Sequence, residues 1–471
     1  MRSGLSRRDF LRASSSAGLF AASGCAGFPS ILSSRSPNAK LCHACVGTSG
    51  MAGWDLQQFL KNPKVEIVAL CDVDATFLAA AKKLVPGARV YADWRELLAA
   101  EGDRIDSVNV STPDHVHAVQ VAGALKAGKH VYAQKPLCKY VDENARLLDL
   151  AEKSGKTTQL GTQVAAMSGD RLCVELLRTG AVGPVSRVML FSTRYGRSRC
   201  RRETPVSGPV PETLDWDLWI GPAPMRPYAK VYHPSLWRIF TDFGTGWVGD
   251  LCVHVLSAPW IGMELGSSAP ISVRAQVDEA ALADPACKGC WPRYSHIEWE
   301  MPGVKASGGK PFKLEWFSGF DAKAIEQAKT GPTPPAFLPP AFCAELASRT
   351  SLKEMPAAGR VIEGEDGYII APHGDDPVVV MKNGTVPALP KLADAPSHFD
   401  EYVARCLDGR PARSDFRWTC RMMDTILAGG VAERIPNVTH RWDGVKRVFD
   451  SEEANAVSHS RYRAGWEFWI A

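Results

Sequence analysis

Three side chains carry the chemistry that this sequence could do: Lys135, Asp250 and His254. Lys135 closes the stretch Gly128-Lys129-His130-Val131-Tyr132-Ala133-Gln134-Lys135-Pro136. Its apolar centre, bounded by glycine and proline, is what a buried central strand of a parallel sheet should look like. A lysine at the carboxyl end of such a strand stands where open α/β sheets bind ligands. There it can hold a hydroxyl or carbonyl oxygen and help to move its proton. Taken alone, the stretch also suits a surface lysine at a strand end. Asp250 and His254 lie in the glycine-rich run Gly244-Thr245-Gly246-Trp247-Val248-Gly249-Asp250-Leu251-Cys252-Val253-His254. If the run is helical, a spacing of four puts both on one face. A carboxylate and an imidazole together can orient a hydroxylated ligand and pass a proton. The same spacing also suits a helix cap at Asp250 with an inward, satisfied histidine, or a metal pair.

The elements that would position Lys135 can be read upstream of it. A strand over residues 41–46 runs into Gly47-Thr48-Ser49-Gly50-Met51-Ala52-Gly53. A helix follows, with Leu56, Phe59 and Leu60 on one face, and then a second strand ending in Asp72. This is a β-α-β unit with a glycine turn and a terminal acid. The turn lets a helix N-terminus face a pyrophosphate, and Asp72 can accept from an adenosine ribose while repelling a 2′-phosphate. No arginine follows Asp72, so NAD is expected rather than NADP. Gly47, Ser49, Gly50, Met51, Ala52 and Asp72 are therefore the candidate cofactor residues of the first turn. Ser49 stands where a second glycine is usual and Ala52 where a third is usual. Helices are expected over 78–84, 94–99, 119–126 and 139–154. Further strands are expected over 106–111, 131–133 and 157–161. Such alternation predicts a doubly wound parallel sheet.

After about residue 165 the apolar period becomes two. Ile271, Val273, Ala275 and Val277 share one face, as do Ile297, Trp299 and Met301, and Phe312, Leu314 and Trp316. Asn383-Gly384 is a hairpin turn signal. The expected fold class is thus α/β: a Rossmann sheet over residues 37–163, then an α+β domain with a large, mainly antiparallel open sheet over residues 164–471. The excursion over 196–245, rich in Pro, Trp and Arg, is long enough to be functional. Amphipathic helices are expected over 397–407, closed near Gly409, and after a cap at Ser414-Asp415.

The chain has 471 residues, 45% hydrophobic and 23% charged, enough for two domains with sizeable cores. Its formal charge of +4 is concentrated in Arg2, Arg7, Arg8 and Arg12 against Asp9. No clustered basic face remains, so nucleic acid is not an expected partner. Ser6-Arg7-Arg8-Asp9-Phe10-Leu11-Arg12, followed by a mildly apolar run over 13–22, reads as a twin-arginine export signal with its linker over residues 1–36. Ala22-Ser23-Gly24-Cys25 is close to a lipidation site. A periplasmic protein and a lipoprotein anchored at Cys25 are both open. Cys42 and Cys45 fall on an expected strand and read as core. Cys287-x-x-Cys290 lies in a loop-like stretch without a second half for zinc, so a disulfide or free thiols are expected there and no metal.

In this order, the glycine turn from Gly47, Asp72, Thr112-Pro113 with His115 and His117, Gln134-Lys135-Pro136, and Gly246-x-x-x-Asp250-x-x-x-His254 resemble the glucose–fructose oxidoreductase/inositol dehydrogenase/MocA (Gfo/Idh/MocA) family, its long exported members above all. The resemblance runs from about residue 40 to the C-terminus and takes in Trp216-Asp217-Leu218-Trp219-Ile220-Gly221-Pro222. The family's Glu-Lys-Pro stands here as Gln-Lys-Pro, which removes an acidic neighbour of Lys135. The resemblance implies an NAD-dependent oxidoreductase acting on a sugar, polyol or glycoside. In it Lys135 polarises the reacting group, His254 is the acid/base, and Asp250 orients the substrate or supports the histidine. It further implies that Thr112, Pro113, His115, His117, Gln134, Lys135 and Gln163 join the cofactor site. Trp216, Trp219, Trp237 and Trp247 suit stacking on sugar faces. Outside the cytoplasm no free NAD pool exists, so a tightly held, internally recycled cofactor is expected. An NAD-using glycoside hydrolase and a non-catalytic sugar- or nucleotide-binding protein are the alternatives. A homo-oligomer is expected from the open sheet face.

Overall fold

The first half builds a six-stranded parallel sheet from short strands, all but the third largely buried. These are β1 (Leu41–Val46), β2 (Val65–Cys71), β3 (Arg89–Tyr91), β4 (Ser107–Val110), β5 (His130–Ala133) and β6 (Thr158–Leu160), in the order β3-β2-β1-β4-β5-β6. The computed structural model describes residues 40–192, 204–234, 236–277, 288–292, 294–319 and 356–467, with single positions at 283, 285 and 348. The arginine pair, Cys25 and Cys287 lie outside the described residues. Helices α1 (Met51–Lys61), α2 (Ala75–Leu84), α3 (Trp94–Glu101), α4 (Asp114–Lys126) and α5 (Val141–Ser154) connect the strands. The chain reverses its winding between β1 and β4, so their carboxyl ends open a crevice there, as such sheets do. β3 went unread in the sequence because Arg89-Val90-Tyr91 is short and largely exposed.

After α6 (Ser168–Arg178) the second sheet takes over. Among the described residues its order is β13-β12-β11-β7-β10-β9-β8-β14-β15. Its strands are β7 (Val185–Ser192), β8 (Ser272–Val277), β9 (Tyr294–Met301), β10 (Phe312–Gly319), β11 (Ala358–Gly364), β12 (Gly367–Pro372), β13 (Val378–Met381), β14 (His440–Asp443) and β15 (Val448–Phe449). Only β7 and β10 pair in parallel; the other pairs are antiparallel. The period-two faces are buried as expected (Val273, Ala275, Ile297, Trp299, Met301, Phe312, Leu314, Trp316), whereas Ile271 is exposed. Asn383-Gly384 forms a turn after β13, but no strand returns from it.

Between β7 and β8 the chain forms the short α7 (Trp216–Ile220) and the buried α8 (Val253–Gly262). Then come α9 (His398–Asp408), capped by Ser397 and closed at Gly409, α10 (Phe416–Arg434), capped by Asp415, and α11 (Glu452–Ser458). α9 turns Phe399, Tyr402 and Val403 onto Leu41, Phe59 and Tyr132, so a helix from late in the chain seals one face of the first sheet. α10 instead lies on the second sheet, where Trp299 donates from its indole to the Thr425 carbonyl at 2.9 Å.

Candidate active site

β5 delivers Lys135 to the carboxyl edge of the first sheet. Its Nζ donates to Asp250 Oδ1 and to the Asp250 carbonyl, each at 2.7 Å. The two side chains keep 12% and 11% exposure, so the pair faces a cleft rather than the core. Asp250 does not sit on the plain α-helix that the spacing predicts. Val248–Cys252 form a π turn, and α8 begins only after it. Such turns recur at functional sites because they displace one carbonyl and side chain from the regular ladder. Gly249 permits the turn: a Cβ there would stand 2.1 Å from Thr245 Oγ1. Thr245 is tied in turn to Asp114 Oδ2, at 2.7 Å from its hydroxyl and 3.2 Å from its amide. The first residue of α4 thus holds the segment that carries Asp250.

His254 is buried on α8, with its ring centre 5.4 Å from that of His373. Burial, then the charges of Lys135 and His373, push its pKa well below the usual imidazole value, against the pull of Asp250. The ring is therefore neutral, and its Nδ1 has no hydrogen-bond partner among the described residues. A neutral, unsatisfied imidazole near a lysine–carboxylate pair can take up a proton.

The cleft beside this group has a volume of about 450 Å³. Gly47, Ser49, Gly50, Met51, Ala52, Asp72, Thr112, Pro113, Gln134 and Lys135 line it, all of them singled out in the sequence. Gly47 has φ +91, and a Cβ on it would stand 2.5 Å from the Ser111 carbonyl, so the turn has no room for a side chain. No side chain caps α1, and Gly50, Met51 and Ala52 at its start line the cleft. Asp72 accepts from the Thr48 amide and hydroxyl at 2.9 and 2.8 Å and from the Asp74 amide at 3.1 Å. An open helix N-terminus, a tight glycine turn and a fixed carboxylate at the next strand end fit the pyrophosphate and ribose of a dinucleotide.

Three sequence-predicted cofactor residues lie elsewhere. His115 donates to the Trp219 carbonyl at 2.8 Å and packs against Trp219 and Phe243. The ring nitrogens of His117 lie 2.7 Å from the carbonyls of Pro136 and Thr112, tying the β4 and β5 loops together. The helical phase explains both, since α4 starts at Asp114 and turns the following positions away from the cleft. Gln163 donates to the Tyr132 hydroxyl at 2.9 Å and is likewise outside the lining. Of the tryptophans, Trp216 and Trp219 stack on each other at 4.7 Å within an aromatic cluster, and Trp247 packs against the core.

The excursion supplies residues that the sequence did not single out. Asp215 and Ala75 exchange backbone bonds with Val73 and Thr213, which stitches the excursion to the end of β2. His233 reaches Asp74 at 3.1 Å and tilts over Phe77, beside Asp72. Arg238 lies 3.7 Å from Asp250 Oδ1, with its guanidinium 4.1 Å above the Trp237 ring. Density of Trp and Arg was the only sequence signal for them.

Fold and cleft together define a dinucleotide-binding domain joined to an α/β partner that supplies the second half of the polar group. Residues 42–162 match the family model described as the oxidoreductase family, NAD-binding Rossmann fold. Residues 187–298 match that of the oxidoreductase family, C-terminal alpha/beta domain. The chain belongs to this family, Gfo/Idh/MocA. It is 32% identical over 146 residues to a 1-carboxy-3-chloro-3,4-dihydroxycyclohexa-1,5-diene dehydrogenase of Comamonas testosteroni, covering 31% of this chain and 32% of that protein. It is 30% identical over 147 residues to an alpha-N-acetylgalactosaminidase of Shewanella oneidensis, covering 29% and 31%. The matched stretch thus spans about a third of the length of these curated relatives. A solved oxidoreductase of Agrobacterium radiobacter, in complex with NAD+, L-tartaric acid and magnesium, shares the fold with a TM-score of 0.58 at 14% identity, covering 87% of this chain and 100% of that one.

Proposed function

We propose that this chain is an NAD-dependent oxidoreductase that removes a hydride from a ring hydroxyl of a sugar, polyol or glycoside and keeps its cofactor bound from one turnover to the next. The observation that carries this reading is the Lys135–Asp250 pair, 2.7 Å apart at the edge of the dinucleotide cleft. NAD, when bound, supplies the hydride acceptor. Lys135 holds the substrate oxygen and steadies its charge as the proton leaves. His254, kept neutral by burial, takes that proton. Asp250 orients Lys135 and a neighbouring hydroxyl. Export by the twin-arginine route, to the periplasm or to a lipid anchor at Cys25, belongs to the same reading. That route carries folded protein, so the cofactor is loaded in the cytoplasm.

Kinship with an alpha-N-acetylgalactosaminidase supports a second reading with the same residues. Here a ring hydroxyl is oxidised, the aglycone is eliminated, water adds, and the ring is reduced again, with no net change in NAD. Nitrophenyl glycosides offered without added NAD separate the two. Aglycone release favours the hydrolase, whereas oxidation of one sugar coupled to reduction of another compound favours the oxidoreductase. Denatured protein should release NAD(H); release of NADP(H) would overturn the role given to Asp72.

A further inference from the structure

Gln134 stands where the family's Glu-Lys-Pro carries an acid, and the structure places a carboxylate directly behind it. Asp55, on α1 and fully buried, accepts from Gln134 Nε2 through both its oxygens, at 3.0 and 2.9 Å. It also accepts from Ser111 Oγ at 2.6 Å. Gln134 Oε1 meets the Lys135 amide at 3.3 Å. Ser111, Gln134 and Lys135 all line the cleft, so Asp55 lies one side-chain layer beneath its floor.

The bonds behind Ser111 run one way. An ionised carboxylate only accepts, so Ser111 donates to it and accepts from Asn109 Nδ2 at 2.8 Å. Asn109 Oδ1 then accepts from His43 Nε2 at 3.2 Å, which leaves His43 Nδ1 to accept from Ser107 at 2.9 Å. Ser107 in turn accepts from the Tyr402 hydroxyl at 2.6 Å. Asn109, His43, Ser107 and Tyr402 are all fully buried. Each link donates toward Asp55, and a chain polarised in one sense favours the ionised acid at its end. Burial lowers His43 to about 3, so the chain brings no opposing positive charge. Burial pushes Asp55 itself up to about 7, against the pull of Ser111 and Gln134.

We infer that Asp55, in its ionised form, places a negative charge under the cofactor cleft and, through Gln134 and Ser111, biases the site toward the oxidised dinucleotide. NADH carries one more negative charge than NAD+, so a buried anion below the floor disfavours the reduced form wherever along the cleft the nicotinamide lies. Asp55 is a positioning residue, since it touches Gln134 and Ser111 rather than substrate. The inference rests on NAD binding in this cleft and not on which substrate is turned over.

Asp55→Asn keeps the shape and removes the charge. Dissociation constants for NAD+ and NADH are measured on the cofactor-stripped full chain at about pH 8.5, where Asp55 is ionised. The ratio of the NADH constant to the NAD+ constant should fall on the order of tenfold in Asp55→Asn, equivalent to ~30 mV in the bound couple. If both constants move by the same factor, Asp55 is only structural and the inference fails. Asp55→Asn/Gln134→Glu moves the charge one side chain forward and should restore the wild-type ratio to within about twofold. A folded double variant that keeps the lowered ratio overturns the inference. Should Asp55→Asn not fold, the wild-type ratio is measured from about pH 5.5 to 8.5 instead: a ratio that rises as Asp55 loses its proton supports the proposal, and a ratio that stays flat sinks it. If wild-type protein binds neither dinucleotide, the cofactor reading fails and takes this inference with it.

Discussion

Lys135–Asp250 and Arg360–Asp170 both join a strand of one sheet to a helical segment elsewhere in the chain, yet their surroundings are opposite. Arg360 and Asp170 are 0% and 1% exposed. Arg360 also donates to the Val255 carbonyl at 2.9 Å, and Asp170 also accepts from Ser257 at 3.1 Å. Protein closes every side, and two of the four groups belong to α8 just past His254. This pair therefore sets where the helix bearing His254 lies. Lys135 and Asp250 keep one side open to the cleft, with Arg238 standing by as a second cation. A fully enclosed pair can only hold position. A pair with one open side holds position and still has a face to offer a ligand.

The sharpest way to break this contrast is to remove one cation from each. Lys135→Ala should lower turnover by about 10²–10⁴-fold, the usual loss for a proton-handling group. Its melting temperature should stay within a few degrees of wild type, because Asp250 can be solvated from the cleft. Arg360→Met should do the reverse. It strands Asp170 without a partner in the core, which costs about 3–5 kcal/mol. For a chain of this size that lowers the melting temperature by roughly 3–5 °C, more than the change expected for Lys135→Ala, while the folded fraction keeps most of its turnover. Calorimetry and rate measurements on both variants decide the matter. If Lys135→Ala proves to be the destabilised variant and Arg360→Met the inactive one, the two roles have been assigned the wrong way round.

The sequence foreshadowed the open pair better than the closed one, for physical reasons. Lys135 sits at a strand end whose apolar run and flanking glycine and proline are local signals, and Asp250 and His254 lie in a glycine-dense run. The parallel sheet was legible because β1, β2 and β5 are short, mainly apolar runs between turn residues and alternate with helical stretches. What could not be read depends on tertiary pairing. Asp55 shares α1 with Leu56 and Phe59, and nothing in its sequence neighbourhood singles it out; only its meeting with Gln134 and Ser111 gives it a role. Arg360 looks like an outward residue of an alternating strand until Asp170 is found beside it. The π turn before α8 has no signature beyond Gly246 and Gly249, so the spacing of Asp250 and His254 was read as plain helix. His115 and His117 lie next to a cleft-lining Thr-Pro, but the phase of α4 turns them away. β7 is buried along most of its length, so it lacks the alternation that marked β8, β9 and β10.

A third acid refines the comparison, because it has neither an open side nor a cation. Glu433, on α10, is 2% exposed, and no cation pairs with it among the described residues. Burial raises it to about 8, against a lowering hydrogen bond from Ser295. A folded-state value above the unfolded one means that the proton is held more tightly in the folded protein. The stability contributed by this group is therefore complete below the unfolded carboxyl range, declines as pH rises, and is lost once pH passes about 8. Glu433→Gln should remove that dependence. Its melting temperature should track wild type near pH 5 and exceed it increasingly toward pH 8.5, by no more than a few kcal/mol in stability. The effect is smaller than that of Arg360→Met because Glu433 can stay protonated over much of the range, whereas Asp170 stripped of Arg360 loses the cation that pairs with it among the described residues. A difference between Glu433→Gln and wild type that stays flat from pH 5 to 8.5 would mean that Glu433 is charged in the folded protein throughout. In that case an enclosed acid here needs no partner, and the contrast between the closed and open pairs loses its physical basis.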